Sequence, residues 1–314
     1  MALMENSPGG PEASAMADPS ACLSTRTEPA VPEAHASPPP LPPQLPPPGL
    51  KRRTALLVSL VFYLVSFGTT IPLAIYLTFQ KLPIDNTTLV LVSQFTGWPA
   101  ALATGLWIGR SSWKESYALR RCPPRLFPGL LLGCFGLTFV LNRLATTVPI
   151  PKHFENLFRS LASQDNLWVS LLALVVLAPL CEELFFRGWM LRGLLKRYSP
   201  AQSIGFTALL FAVFHLNPWQ AIVALPLGLL FGWLAWRTGS LLPGIVGHFI
   251  VNFTGSRLLV PVGDLLGYSK QHLEDALHLP WAMVGLGGAL ALSGLLWMAA
   301  SLRSRSDSPS LPAA

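Results

Sequence analysis

Charge is scarce in this chain. Of its 314 residues, 12% are Asp, Glu, Lys or Arg, about half the share usual in a soluble globular domain. Most of the length therefore cannot present an ordinary solvated surface. The four cysteines, Cys22, Cys122, Cys134 and Cys181, show no CxxC or other metal-ligand spacing. Cys134 and Cys181 lie in apolar segments, where a thiol behaves as a small hydrophobe, so a disulfide framework is not expected. The helical HExxH signature of zinc peptidases is absent. No repeat of 20 to 50 residues signals an array, and the N-terminus lacks the charged-then-apolar layout of a cleaved signal peptide.

What the chain has instead is apolar length. Hydrophobic residues make up 51%, and the mean hydropathy is +0.48. Beyond residue 50, eight apolar segments run at about 54–79, 88–108, 127–147, 167–190, 201–217, 219–236, 241–260 and 281–301. Most reach the roughly 20 residues that cross about 30 Å of hydrocarbon. The expected fold is all-α, a multi-pass transmembrane bundle of about eight spans over 51–302, with a short tail at 303–314. Residues 1–50 are a different material. They hold 13 of the 30 prolines, ending in "SPPPLPPQLPPPGL", and read as a disordered, Pro-rich cytoplasmic tail.

The net charge of +7 invites a nucleic-acid reading, but the basic residues sit at the ends of apolar segments. Lys51, Arg52 and Arg53 precede the first span, and Arg110, Lys114, Arg120, Arg121 and Arg125 fill the loop after the second. Arg192, Lys196 and Arg197, then Arg237, then Arg303 and Arg305 follow the fourth, sixth and eighth. With eight spans all lie on one side, which the positive-inside rule makes cytoplasmic along with both termini. The partners so implied are the lipid bilayer and membrane-associated molecules, not nucleic acid. The Ala-, Pro- and Leu-rich usage points to a bacterial inner membrane. In the outward loops, the Asn86-Thr87-Thr88 sequon and the group His272, Glu274, Asp275 and His278 are weak candidates for glycosylation and for metal.

Ionisable side chains inside apolar spans are costly, so they mark function by default. The fourth, fifth and seventh segments carry Glu182, Glu183, Arg187, His215, His248 and Asn252. Glu183 and Arg187 are four apart and share a helix face, so they can pair. Glu182 lies about 100° away around the same helix and is not consumed by that pair. Phe211 shares the face of His215, and His248 shares that of Asn252. A carboxylate and imidazoles can take a proton from water, while an imidazole and a carboxamide can donate to an oxyanion. Such a set would hydrolyse an amide without a serine or cysteine nucleophile. The same residues also suit interhelical hydrogen bonding, a proton pathway, or zinc held by Glu182, His215 and His248. No inverted repeat supports the transporter reading.

The stretches "EELFFR" (Glu182 to Arg187), "FAVFH" (Phe211 to His215) and "HFIVN" (His248 to Asn252) carry a resemblance. In order, they resemble the EExxxR, FxxxH and HxxxN motifs of the CAAX-protease and bacteriocin-processing family of intramembrane proteases, over about 167–260. The resemblance implies that Glu182 and His215 hold and activate water. It implies that His248 and Asn252 form the oxyanion hole, with Glu183, Arg187 and Phe211 in support. The expected activity is that of a metal-independent glutamate peptidase with no cofactor, acting on prenylated CAAX-like or other membrane-associated peptides. A non-proteolytic immunity or scaffold protein and a zinc-dependent peptidase are the alternatives.

Overall fold

The structure is a computed structural model that describes residues 49–82, 86–109, 113–117, 119–152, 167–255 and 281–303. The Pro-rich tail, apart from its last two residues, the C-terminal tail beyond Arg303 and the His272–His278 group lie outside the described residues, as do Arg110 and Arg305 and the side chains of Asn86 and Thr87.

Among the described residues the fold is all-α, with no strand. Eight helical segments follow the eight apolar runs: α1 (Arg52–Phe79), α2 (Asn86–Gly109), α3 (Leu126–Ala145), α4 (167–195), α5 (Pro200–Val213), α6 (Pro218–Thr238), α7 (Leu242–Phe253) and α8 (Trp281–Arg303). A single turn at Trp113–Ser116 lies between α2 and α3. Five of the helices, α1, α2, α3, α6 and α8, are long and apolar enough to cross a membrane. This is an integral, multi-pass membrane protein.

The basic helix ends gather at one end of the bundle. The Leu50 amide donates to the Gly193 carbonyl at 2.8 Å. Arg192 Nη2 donates to the Gly239 carbonyl at 2.8 Å and Arg237 Nη2 to that of Leu302 at 3.1 Å. These bonds place the start of α1 and the ends of α4, α6 and α8 together.

One helix, α5, is shorter than its apolar run, and another, α7, starts deep. α5 ends at Val213 rather than near 217. The chain must reverse there, because Asn217 caps α6 by accepting from the Gln220 amide at 2.9 Å and Pro218 opens it. Leu216 takes a left-handed φ of 54° within the reversal. α7 spans 12 residues. It begins below the surface, since Ser240 and Leu241 are both fully buried. That deep start brings His248, only two turns in, to the depth of the α4 glutamates.

α4 is helical throughout but not uniformly wound. Leu171–Leu177 and Leu184–Leu191 follow the wider i→i+5 winding on either side of Ala178–Glu183. Pro179 accounts for the first of these: it has no N–H to give and its ring crowds the preceding turn. Widened turns of this kind occur frequently at functional sites.

α3 and α8 pack by close backbone approach. A Cβ added at Gly136 would collide with the Gly287 carbonyl and the Ala291 amide, and one at Gly294 with the Gly133 amide. The "GLGGAL" of α8 is thus a packing surface, as small residues at membrane helix interfaces commonly are.

Candidate active site

The site is assembled from α4, α7 and the turn after α5. Glu183 and Arg187 are buried, at 0% and 1% side-chain exposure, with Arg187 Nη1 2.8 Å from Glu183 Oε1. Nη1 lies off the line of a hydrogen bond, so charge rather than a linear bond holds this contact. Arg187 Nη2 donates to the Gly228 carbonyl at 3.4 Å. The guanidinium also lies over the Phe211 ring at 4.5 Å, which helps replace the water it has lost.

Glu183 Oε1 also meets His248 Nδ1 at 3.0 Å. A carboxylate paired to arginine can only accept, so Nδ1 carries the hydrogen and Nε2 turns toward Glu182, whose Oε2 is 3.6 Å away. Glu182 keeps partial access, with 16% of its side chain exposed. It is the carboxylate left over from the buried pair, as its helical offset requires. Glu183 Oε2 lies against α7, where a Cβ on Gly244 would come within 2.6 Å of it.

Asn252 Nδ2 donates to the Leu174 carbonyl at 2.8 Å. In the i→i+5 winding that carbonyl would look to residue 179, which is the proline. The carboxamide supplies the missing donor, so a backbone gap in α4 fixes the Asn252 side chain of α7.

His215 lies in the turn beyond α5 rather than on the helix. Its Nδ1 is 2.9 Å from the Phe211 carbonyl, which can only accept. Nδ1 therefore carries the hydrogen and Nε2 holds the lone pair. Phe211 packs edge-on against both imidazoles, with centroids 5.1 Å from His215 and 5.7 Å from His248. All three motifs thus converge on one aromatic ring. Glu182 pairs with His248; no ion pair joins it to His215 among the described residues.

Sequence reasoning missed Phe214 and Tyr63. Phe214, next to His215, packs against Phe62, Tyr63, Trp98, Phe185 and Phe186, with centroids 4.6 to 6.2 Å away. The Tyr63 hydroxyl of α1 donates to the Phe214 carbonyl. Among apolar spans an aromatic residue resembles any lipid-facing side chain, and only the second Phe of "FAVFH" hinted at the cluster. No group of three His, Cys, Asp or Glu side chains among the described residues is disposed to hold a metal ion.

Glutamate, histidine and asparagine side chains thus meet inside a multi-pass helical membrane protein, and one comparison bears on this region. Residues 164–254, covering α4 to α7, match the family described as type II CAAX prenyl endopeptidase Rce1-like. This part of the chain is similar to that family, the one its three motifs resemble. No curated protein and no solved structure gives a significant match.

Proposed function

We propose that the protein is an intramembrane endopeptidase in which Glu182 and His215 activate a water molecule. The observation that carries this reading is the separation of roles between adjacent glutamates. Glu183 is fully buried and committed to Arg187 and His248, whereas Glu182 is part-exposed and bonded to neither cation of its own helix.

In the proposed reaction, the Glu182 carboxylate takes a proton from water as its oxygen attacks the substrate carbonyl carbon. His215 accepts a hydrogen bond from that water through Nε2 and orients it. The carbonyl electron pair moves onto oxygen, where the charge is stabilised by His248 as an imidazolium, donating through Nε2 while Nδ1 stays on Glu183, and by the second N–H of Asn252, whose first is held by the Leu174 carbonyl. The proton then passes to the amide nitrogen as the C–N bond breaks. We assign the substrate to membrane-associated peptides, including prenylated CAAX-like C-termini, as the family description suggests. The clustering of basic helix ends supports cytoplasmic termini, in a bacterial inner membrane.

Detergent-purified wild type and Glu182→Gln should be compared on a peptide library that includes a farnesylated CAAX peptide, with and without a strong chelator. The expected result is cleavage that survives chelation and falls about a thousandfold in the variant. Cleavage by Glu182→Gln at the wild-type rate would sink the mechanism, and loss on chelation would transfer it to zinc. A folded wild type that cuts nothing would favour the immunity or scaffold reading, with the buried Glu183–Arg187 pair acting as helix glue.

A further inference from the structure

The match to the family model begins at residue 164, after α1 and α2. Yet α1 reaches into the site. Tyr63 lies 11 residues into α1, about 17 Å from its basic end at 1.5 Å per residue. At that depth its ring packs 4.6 Å from Phe214, and its hydroxyl donates to the Phe214 carbonyl. Phe214 is covalently next to His215. One side chain of α1 therefore touches the peptide unit next to one histidine of the centre.

The turn needs an external hold. α5 has ended at Val213, and the amides of His215 and Leu216 make only tight i→i−3 bonds, at 3.3 and 3.0 Å, to Ala212 and Val213. Leu216 is in the left-handed region, which a leucine adopts only when its surroundings impose it. The Phe214 carbonyl, at the helix end, is among those a helix cannot satisfy internally. In a membrane interior such a carbonyl requires a donor, and Tyr63 supplies it.

We propose that Tyr63 is a positioning residue for the hydrolytic centre, its hydroxyl holding the Phe214 carbonyl so that the turn presents His215 in working orientation. This rests on the reading of His215 as a water-orienting base. It gives the helices outside the protease-like region a task in the chemistry beyond shielding it from lipid.

The test compares full-length wild type, Tyr63→Phe and Tyr76→Phe. Tyr76 is on the same helix, is exposed and lies 13 residues further along, so it controls for loss of a hydroxyl from α1. Two quantities are read: hydrogen–deuterium exchange of the peptide spanning 213–217, and kcat against KM on whatever peptide wild type cleaves. Tyr63→Phe should exchange about tenfold faster in this peptide alone and lose about tenfold in kcat, with KM within twofold, as expected for one lost hydrogen bond. Tyr76→Phe should match wild type in both. Unchanged exchange at 213–217 in Tyr63→Phe overturns the hold on the turn. Faster exchange with unchanged kcat overturns its link to hydrolysis. If wild type cleaves no peptide, the protease reading fails and the link to hydrolysis falls with it, while the exchange comparison still decides whether Tyr63 holds the turn.

Discussion

Two helix pairs in this molecule are joined by opposite means. α3 and α8 meet through glycines, backbone against backbone. α4 and α7 meet through a buried carboxylate, a guanidinium and an imidazole. In lipid, the apolar faces of helices gain little from leaving the solvent, so close packing or polar contact must supply the attraction. The glycine seam fixes how closely the two backbones approach. The charged contact fixes one geometry, because Glu183 Oε1 serves both Arg187 and His248 at once. A water-activating centre needs the second kind of junction, and a supporting wall needs only the first.

The largest expected effect comes from breaking the charged junction. Arg187→Met leaves Glu183 fully buried without its cation and should destabilise the protein by about 3 kcal/mol. Thermal denaturation in detergent measures this, and an unchanged melting temperature would show that the pair does not hold the junction. The glycine seam should respond less. In Gly136→Ala the new methyl meets the backbone of α8, so the helices must separate, at about 2 kcal/mol, while cleavage per folded molecule stays unchanged. A loss of specific activity there would mean the two seams are coupled. The smallest and sharpest case is Gly244→Ala, whose methyl would fall 2.6 Å from Glu183 Oε2. Displacing that carboxylate moves His248, so cleavage should fall about tenfold with a stability change of about 1 kcal/mol. An active Gly244→Ala enzyme would show that His248 tolerates movement.

Much of this was legible in the sequence, for physical reasons. Apolar length marks membrane helices because the hydrocarbon has a fixed thickness, and each of the eight runs carries a helix. The Glu183–Arg187 pair followed from four-residue spacing within one helix. The Glu183–His248 bond did not, because its partners are 65 residues apart and only packing brings them together. The end of α5 was hidden because "LFAVFHLN" stays apolar through the reversal; the signal was the Asn217–Pro218 pair that starts α6. The uneven winding of α4 had a visible cause in Pro179, whereas its consequence at Asn252 lay 78 residues beyond Leu174.

That last contact also bears on how the protein is made. Within α4 as wound here, the Leu174 carbonyl has no donor until α7 arrives, and an unmet carbonyl in hydrocarbon costs several kcal/mol. A growing chain that has inserted α4 but not yet α7 should therefore hold α4 in a different winding, with Glu182 out of register. Emergence of Asn252 from the ribosome then licenses the final shape. On this account the proposed hydrolytic centre is completed only late in synthesis, once α7 has joined α4.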